Sequence, residues 1–139
     1  MNKRFVLMAL VLSMFFSMGL YSCTSSSTDR QLSAGYSFVL SRLKSPSNTT
    51  LVKSLYGGQI RNLVEEHCSV KLPSCITVGC FEVDTPNSFG ALLRETFWVF
   101  YKNGIPCHLE TSKALDKVSS TRNGRLLITA LEMNGCKCE

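Results

Sequence analysis

The sequence predicts a small, mostly-β, disulfide-rich fold. Its strongest strand pattern, LLRETFWVFY over residues 92–101, consists largely of β-branched and aromatic residues, which suit a pleated sheet. Beyond an N-terminal apolar run, about 115 residues remain, the length of one domain with a modest core. Covalent cross-links would therefore contribute substantially to stability. Six cysteines are available for them: Cys68, Cys75, Cys80, Cys107, Cys136 and Cys138.

The N-terminus has the pattern of a secretory signal. Lys3 and Arg4 precede an uncharged run over residues 5–20, which is shorter than the ~20 apolar residues of a membrane span. We expect residues 1–22 to be a signal peptide, although small residues also permit cleavage after Gly19 or after Ser25, so Cys23 is either kept or removed. The alternatives are a retained signal anchor and a lipoprotein attached at Cys23. Export predicts a secreted, extracellular protein without stable membrane insertion, in a compartment where disulfides persist.

The remaining chain divides into an arm and a domain. Residues 23–48 are rich in Ser, Thr and Asn and are predicted to form a flexible N-terminal arm, in which residues 35–43 fit either a strand or a short helix. Residues 49–139 form the predicted domain. Asn48-Thr49-Thr50 is a glycosylation sequon in a loop-like stretch, which predicts an exposed Asn48 carrying a glycan.

Within the domain, one short helix and two strands are predicted. Ile60, Leu63, Val64 and His67 follow the spacing of one helical face just before Cys68. The strand at residues 92–101 has apolar residues on both faces, so it should be covered on both sides. A second strand is predicted at residues 125–133, and the two strands would pair as a long antiparallel hairpin.

The charge balance argues against nucleic-acid binding. Without Lys3 and Arg4, the 15 Lys and Arg residues fall to 13 against 10 Asp and Glu residues, a net charge of about +3. The positive charges are scattered along the chain. We therefore expect no nucleic-acid partner.

The closing Cys136-Lys137-Cys138 has a geometric consequence if it lies in a strand. Side chains two residues apart point to the same face, so both thiols would reach a second pair together. Cys75 and Cys80 could be that pair. Spacing alone, however, cannot choose among the possible connectivities of six cysteines.

Four short segments together resemble the interleukin-17 cytokines. CITVGC at residues 75–80 is similar to the C-x-x-x-G-C element of that family, and ETFWV at residues 95–99 resembles its E-T-L-V-V strand. Cys107 stands where the family has the cysteine after that strand. NGCKC at residues 134–138 resembles the closing G-C-x-C. The resemblance covers roughly residues 60–139. The order and spacing of the matched elements are more specific than any one element.

The resemblance implies a cystine-knot-like fold of antiparallel hairpins and a definite cysteine pairing. The implied bonds are Cys75–Cys136 and Cys80–Cys138, and Cys68 and Cys107 are left to pair with each other. Alternatively, Cys107 would bond a second chain. The implied function is that of a secreted cytokine, a homodimer that binds a cell-surface receptor and needs no cofactor.

Three other functions would use different residues of this chain. A zinc site would use cysteines and histidines, but Cys75-x4-Cys80 is at the edge of the usual ligand spacing, and no metal is expected. Ribonuclease-type acid–base chemistry would need His67 and His108, and no motif ties them together, so the chain is not expected to be an enzyme. A secreted inhibitor or binding effector would present residues 81–91 as a rigid loop. Trp98 is a candidate receptor anchor, although a strand-face core residue is the commoner role.

Overall fold

Four antiparallel strands and four α-helices make up the part of the chain described by the computed structural model, residues 26–121 and 123–138. In chain order the elements are α1 (Ser27–Leu40), β1 (Thr50–Tyr56), α2 (Gly58–His67), β2 (Ile76–Pro86), β3 (Leu92–Lys102), β4 (Ile105–Thr111), α3 (Ser112–Ser120) and α4 (Arg125–Met133). A short 3₁₀ turn, Pro46–Asn48, precedes β1. The predicted signal peptide at residues 1–22, and Cys23, lie outside the described residues.

The sheet follows the chain, with strand order β1-β2-β3-β4. The longest strand pairing is that of β2 with β3, whose register runs from Ile76 opposite Lys102 to Pro86 opposite Leu92. β4 returns from β3 through the turn at Asn103-Gly104, where both residues have positive φ. The predicted antiparallel sheet and disulfide-bonded fold are therefore present. A cystine knot is not formed by the described residues, which contain two disulfides.

Helices cover both faces of the sheet. On one face α1 packs over Phe81, Val83, Phe97, Val99 and Tyr101. On the other face α2, α3 and α4 enclose a second cluster around Ile76, Val78 and Phe100. Alternate residues of β3 thus serve two cores, as its sequence predicts. Helices of the same chain provide the cover on each side.

The prediction of a flexible arm at residues 23–48 is wrong for Ser27–Leu40, which form α1. Ser26 caps the helix: its Oγ accepts from the Asp29 N–H at 3.2 Å, and its own N–H donates to Asp29 Oδ2 at 3.0 Å. Val39 is fully buried, and Leu32 and Tyr36 pack beside it on the sheet. The apolar residues of α1 recur at helical spacing. The segment is therefore an amphipathic helix that packs on the sheet, although it is rich in serine.

The strand predicted at residues 125–133 is also wrong, because this segment is α4. Leu127 and Leu131, four residues apart, are both buried in the second core. Most other residues of the segment are good helix formers, including arginine, one further leucine, alanine, glutamate and methionine. The predicted hairpin with β3 is therefore absent, and β3 pairs with β2 and β4 instead.

The predicted helix before Cys68 is confirmed as α2. Ile60 and Val64 are buried, whereas Leu63 is 54% exposed and lies at the edge of the predicted face. Within residues 26–121 and 123–138, none of the helices has the length and apolarity required to cross a bilayer.

Candidate functional site

The disulfides differ from those that the family resemblance implies. Cys75 bonds Cys138 with a Cα–Cα distance of 6.0 Å, and Cys107 bonds Cys136 with a Cα–Cα distance of 5.7 Å. Cys68 and Cys80 are free. The implied pairs Cys75–Cys136, Cys80–Cys138 and Cys68–Cys107 are thus all replaced or absent, although all six cysteines belong to or contact one core cluster.

The position of the C-terminal segment explains the pairing. Cys75 immediately precedes β2, and its carbonyl accepts from the Asn103 N–H at 3.0 Å, so it lies beside the β3–β4 turn. Cys107 is just past that turn on β4. α4 delivers Cys136 and Cys138 to this end of the sheet, whereas Cys80 is five residues further along, roughly 16 Å at strand spacing. Because the C-x-C segment follows a helix and is not a strand, its two thiols go to different partners.

The two free thiols are not activated. Cys68 is fully buried and Cys80 is half-buried beside Trp98 in the strand register. Burial raises the pKa of the Cys68 thiol, with further contributions from Asp116 and Glu110. Burial also raises the pKa of Cys80, assisted by Glu82. Both groups therefore stay protonated at neutral pH and are poor nucleophiles.

The two histidines are bound to different carboxylates. His67 Nε2 lies 3.0 Å from Asp116 Oδ1, which links the end of α2 to α3. His108 Nε2 lies 2.7 Å from Glu110 Oε1 on the same strand. Among the described residues, no group of three or more His, Cys, Asp or Glu side chains is arranged to hold a metal ion.

Asn48 ends the 3₁₀ turn and is exposed to solvent. Its side chain is therefore accessible to modification, as a sequon requires. Glycosylation itself stays a prediction.

Trp98 lies half-buried on β3 at the floor of a pocket of about 260 Å³. Its indole Nε1 donates to Ser112 Oγ at 3.1 Å, which holds the ring against the start of α3. Val64 and Leu115 complete the buried wall, and Leu63 forms the exposed rim. Trp98 therefore packs on the core, the commoner of its two expected roles. Its role as a receptor anchor stays a prediction.

The turn between β2 and β3 presents a phenylalanine to solvent. Phe89 is 92% exposed. Asn87 organises the turn, since its Oδ1 accepts from the N–H groups of Phe89 and Ala91 at 2.9 and 3.0 Å. The Asn87 N–H also donates to the Ala91 carbonyl at 2.9 Å, and Gly90 adopts a φ of +82°. An apolar side chain is thus held outward on a hydrogen-bonded turn.

More exposed apolar side chains lie on β1 and β3 toward this end of the sheet. The strand register places Leu51 opposite Val83, and Leu93 opposite Thr85, two residues further along β2. We call this surface the sheet-end patch, and its exposed members are Leu51, Val52, Phe89, Leu92 and Leu93. Leu92 and Leu93 point to opposite faces of β3, so the patch includes side chains on both faces of this end of the sheet. Exposed apolar side chains of this kind indicate a candidate interaction site.

The sequence alone located this surface only in part. Residues 81–91 are the candidate rigid loop of the inhibitor alternative, but β2 continues through Pro86 and the turn is short. The local signal for Phe89 is an aromatic residue among the turn formers Pro, Asn, Ser and Gly. Nothing in the local sequence predicts that Leu51 and Val52 lie near this end of the sheet, because they belong to β1.

Comparisons of the chain with protein-family profiles, with curated proteins and with solved structures find no match.

Proposed function

We propose that this chain is an exported ligand that binds a cell-surface receptor protein through the sheet-end patch. The observation that carries the proposal is the outward-held Phe89 among exposed leucine and valine side chains. Aromatic side chains dominate the binding energy of many protein interfaces. A turn that is ordered before binding also loses less conformational entropy when the complex forms.

Two features support a cell-surface receptor protein as the partner: the exposed apolar surface and the predicted signal peptide. The interleukin-17 resemblance motivates a cytokine-like role, but the observed disulfides differ from those that it implies. Receptor identity is therefore not carried over from that family. The expected homodimer is part of the same proposal, since two copies would present the patch twice.

The test uses the full chain, secreted from a eukaryotic cell line and screened against an array of receptor ectodomains. The substitution is Phe89→Ala, and the matched control is Met133→Ala, which removes another large apolar side chain, 82% exposed, on α4. We expect Phe89→Ala to weaken receptor binding by about 2 kcal/mol, roughly 30-fold, because it removes an interface anchor. The control should bind as the wild type does. Equal binding by both variants would contradict the proposal.

A second candidate, a protease inhibitor, is favoured by the same turn. Inhibitors present a conformationally restrained loop, and Asn87 restrains this one around a single exposed phenylalanine. Phe89 would suit the apolar primary pocket of a chymotrypsin-like protease. Inhibition of such a protease by the wild type, lost in Phe89→Ala, would favour this candidate. Cleavage after Phe89 without inhibition would exclude it.

A further inference from the structure

The Cys75–Cys138 bond lies at the end of the β2–β3 pair opposite the sheet-end patch, where Ile76 pairs with Lys102. An opening of about 300 Å³ gives access to it, and we call this opening the disulfide pocket. The residues that line it are Ser74, Cys75, Lys102, Asn103 and Cys138. Both cysteines are half-buried, so a small molecule that enters the pocket lies beside the bond.

The Cys107–Cys136 bond is less accessible to an attacking thiol. Cys136 is 1% exposed and belongs to the second core, so the attack would have to come at Cys107. The leaving group would then be a buried Cys136 thiolate, which desolvation disfavours. The Cys107 sulfur also lies 3.4 Å from the carbonyl oxygen of Phe100, whose partial negative charge opposes an incoming thiolate. Neither cysteine of this bond lines the disulfide pocket.

The two bonds also differ in what else holds their cysteines in place. The Cys136 N–H donates to the Leu131 carbonyl of α4 at 2.9 Å. Lys137 and Cys138 form no hydrogen bond with any residue in the described part of the chain. Cys138 is therefore held by its disulfide and by its packing against the second core. Opening the Cys75–Cys138 bond would leave α4 attached to β4 through Cys136, so this bond can open locally.

We propose that the Cys75–Cys138 bond is a thiol–disulfide exchange site for a small thiol, which becomes attached to Cys138. The thiolate of the small molecule attacks Cys138 Sγ and forms a new S–S bond there. The bond between the two cysteines breaks, and Cys75 Sγ leaves with the electron pair as a thiolate, which then takes up a proton from water. One disulfide replaces another, so the small thiol is the only co-reactant.

Lys102 determines which sulfur leaves. Among the described residues that line the disulfide pocket, it is the only charged one, and it pairs with the residue next to Cys75. A nearby ammonium group stabilises a thiolate, and the more stable thiolate is the better leaving group. Cys138 is flanked in the sequence by Lys137 and Glu139, whose opposite charges offset each other. Cys75 is therefore the leaving sulfur and Cys138 the one that is modified.

Reduced glutathione is the probe, added in excess to the purified, secreted full chain at neutral pH. Exchange is stopped with acid, the chain is digested with pepsin, and mass spectrometry follows both bonds over time. We expect Cys75–Cys138 to open about tenfold or more faster than Cys107–Cys136, because the second bond needs opening of the core. Glutathione should be found on Cys138, with a free thiol at Cys75. In guanidinium chloride, which removes the burial, both bonds should open at similar rates.

One variant with a matched control tests the role of Lys102. Lys102→Gln should slow the opening of the Cys75–Cys138 bond by about two- to threefold, as the loss of one charge interaction in contact with solvent allows. The control is Lys53→Gln, at an exposed lysine on β1 that does not line the disulfide pocket. This control should open at the rate of the wild type.

Several results would overturn the proposal. These are equal opening rates of the two bonds in the folded chain, faster opening of Cys107–Cys136, or no opening of either. A preference that persists unchanged in guanidinium chloride would show that the fold is not its source. Glutathione on Cys75, or equal rates for Lys102→Gln and Lys53→Gln, would overturn the direction of exchange. The proposed receptor contact uses Phe89 at the other end of the sheet, so the two proposals fail separately.

Discussion

At the scale of single residues, Arg61 and Glu65 of α2 form an ion pair that is largely buried. Glu65 Oε1 accepts from Arg61 Nε at 3.2 Å and from the Leu72 N–H at 2.8 Å. The Arg61 guanidinium also donates to the carbonyls of Leu72, Pro73 and Ile76. The two side chains therefore supply hydrogen bonds to the loop that leads from α2 into β2. Breaking the pair would leave a largely buried charge without its partner.

The Glu65 carboxylate is expected to make stability depend on pH. Burial raises its pKa, but hydrogen bonds from Leu72, Arg61 and Lys71 outweigh this and hold the pKa below the ordinary value of 4.5. Because the folded-state pKa is the lower one, its contribution is present above pH 4.5 and is lost as the pH falls through the folded-state pKa. Glu65→Gln should cost about 1–3 kcal/mol at neutral pH, and less in acid.

Urea unfolding at neutral and acidic pH would measure this difference. The control is Glu66→Gln, at the exposed neighbouring position, which should stay within about 0.5 kcal/mol of the wild type. A Glu65→Gln cost that does not shrink toward acidic pH would show that the charge of Glu65 is not the source of the effect.

At the scale of elements, α1 is held against the sheet through a glycine. A Cβ atom at Gly35 would overlap the Tyr101 hydroxyl and the Phe81 ring, so only glycine allows this close approach. The approach also lets the buried Tyr101 hydroxyl donate to the Gln31 carbonyl at 2.9 Å. A residue that weakens an isolated helix is thus the one that permits this helix to dock.

Gly35→Ala tests the docking of α1. Alanine raises helix propensity by about 1 kcal/mol, but overpacking against two buried aromatic rings costs about 1–3 kcal/mol. We expect a net loss of stability, measured as a lower Tm, with Ser33→Ala on the exposed side of α1 as the control. A more stable Gly35→Ala protein would mean that α1 does not pack on Tyr101 and Phe81.

At the scale of the whole molecule, two disulfides tie the C-terminal segment to the sheet. They close sequence separations of 63 and 29 residues. In the chain-entropy account, each such bond stabilises the fold by about 3–4 kcal/mol. They join both the start of β2 and β4 to the segment after α4, so α3 and α4 lie between covalent attachments.

Non-reducing peptide mapping by mass spectrometry would test the pairing. We expect peptides that join Cys75 to Cys138 and Cys107 to Cys136, with Cys68 and Cys80 recovered as thiols. Replacing Cys75 and Cys138 together by serine should cost up to about 4 kcal/mol, whereas Cys80→Ser should leave both bonds in place. Recovery of Cys75–Cys136 with Cys80–Cys138 would contradict this structure and restore the pairing that the interleukin-17 resemblance implies.

Several features were determined by the sequence itself. The residues of β3 have the composition and alternation of a strand covered on both sides, and those of α2 have a helical period; both elements form as predicted. The turn formers Asn103 and Gly104 directly follow β3 and end it. These predictions succeed because each depends only on residues near one another in the chain, whose spacing and conformational preferences act locally.

Other features were decided only by the tertiary structure. Residues 125–133 are predicted to be a strand, but they form α4, in which Leu127 and Leu131 complete a core formed by distant elements. The cysteine pairing depends on where α4 delivers the C-terminus, and the sheet-end patch depends on β1 lying beside β2. The Trp98 pocket likewise needs α2, α3 and β3 together. Each of these is a contact between residues far apart in sequence, and only the burial of shared apolar surface brings them together.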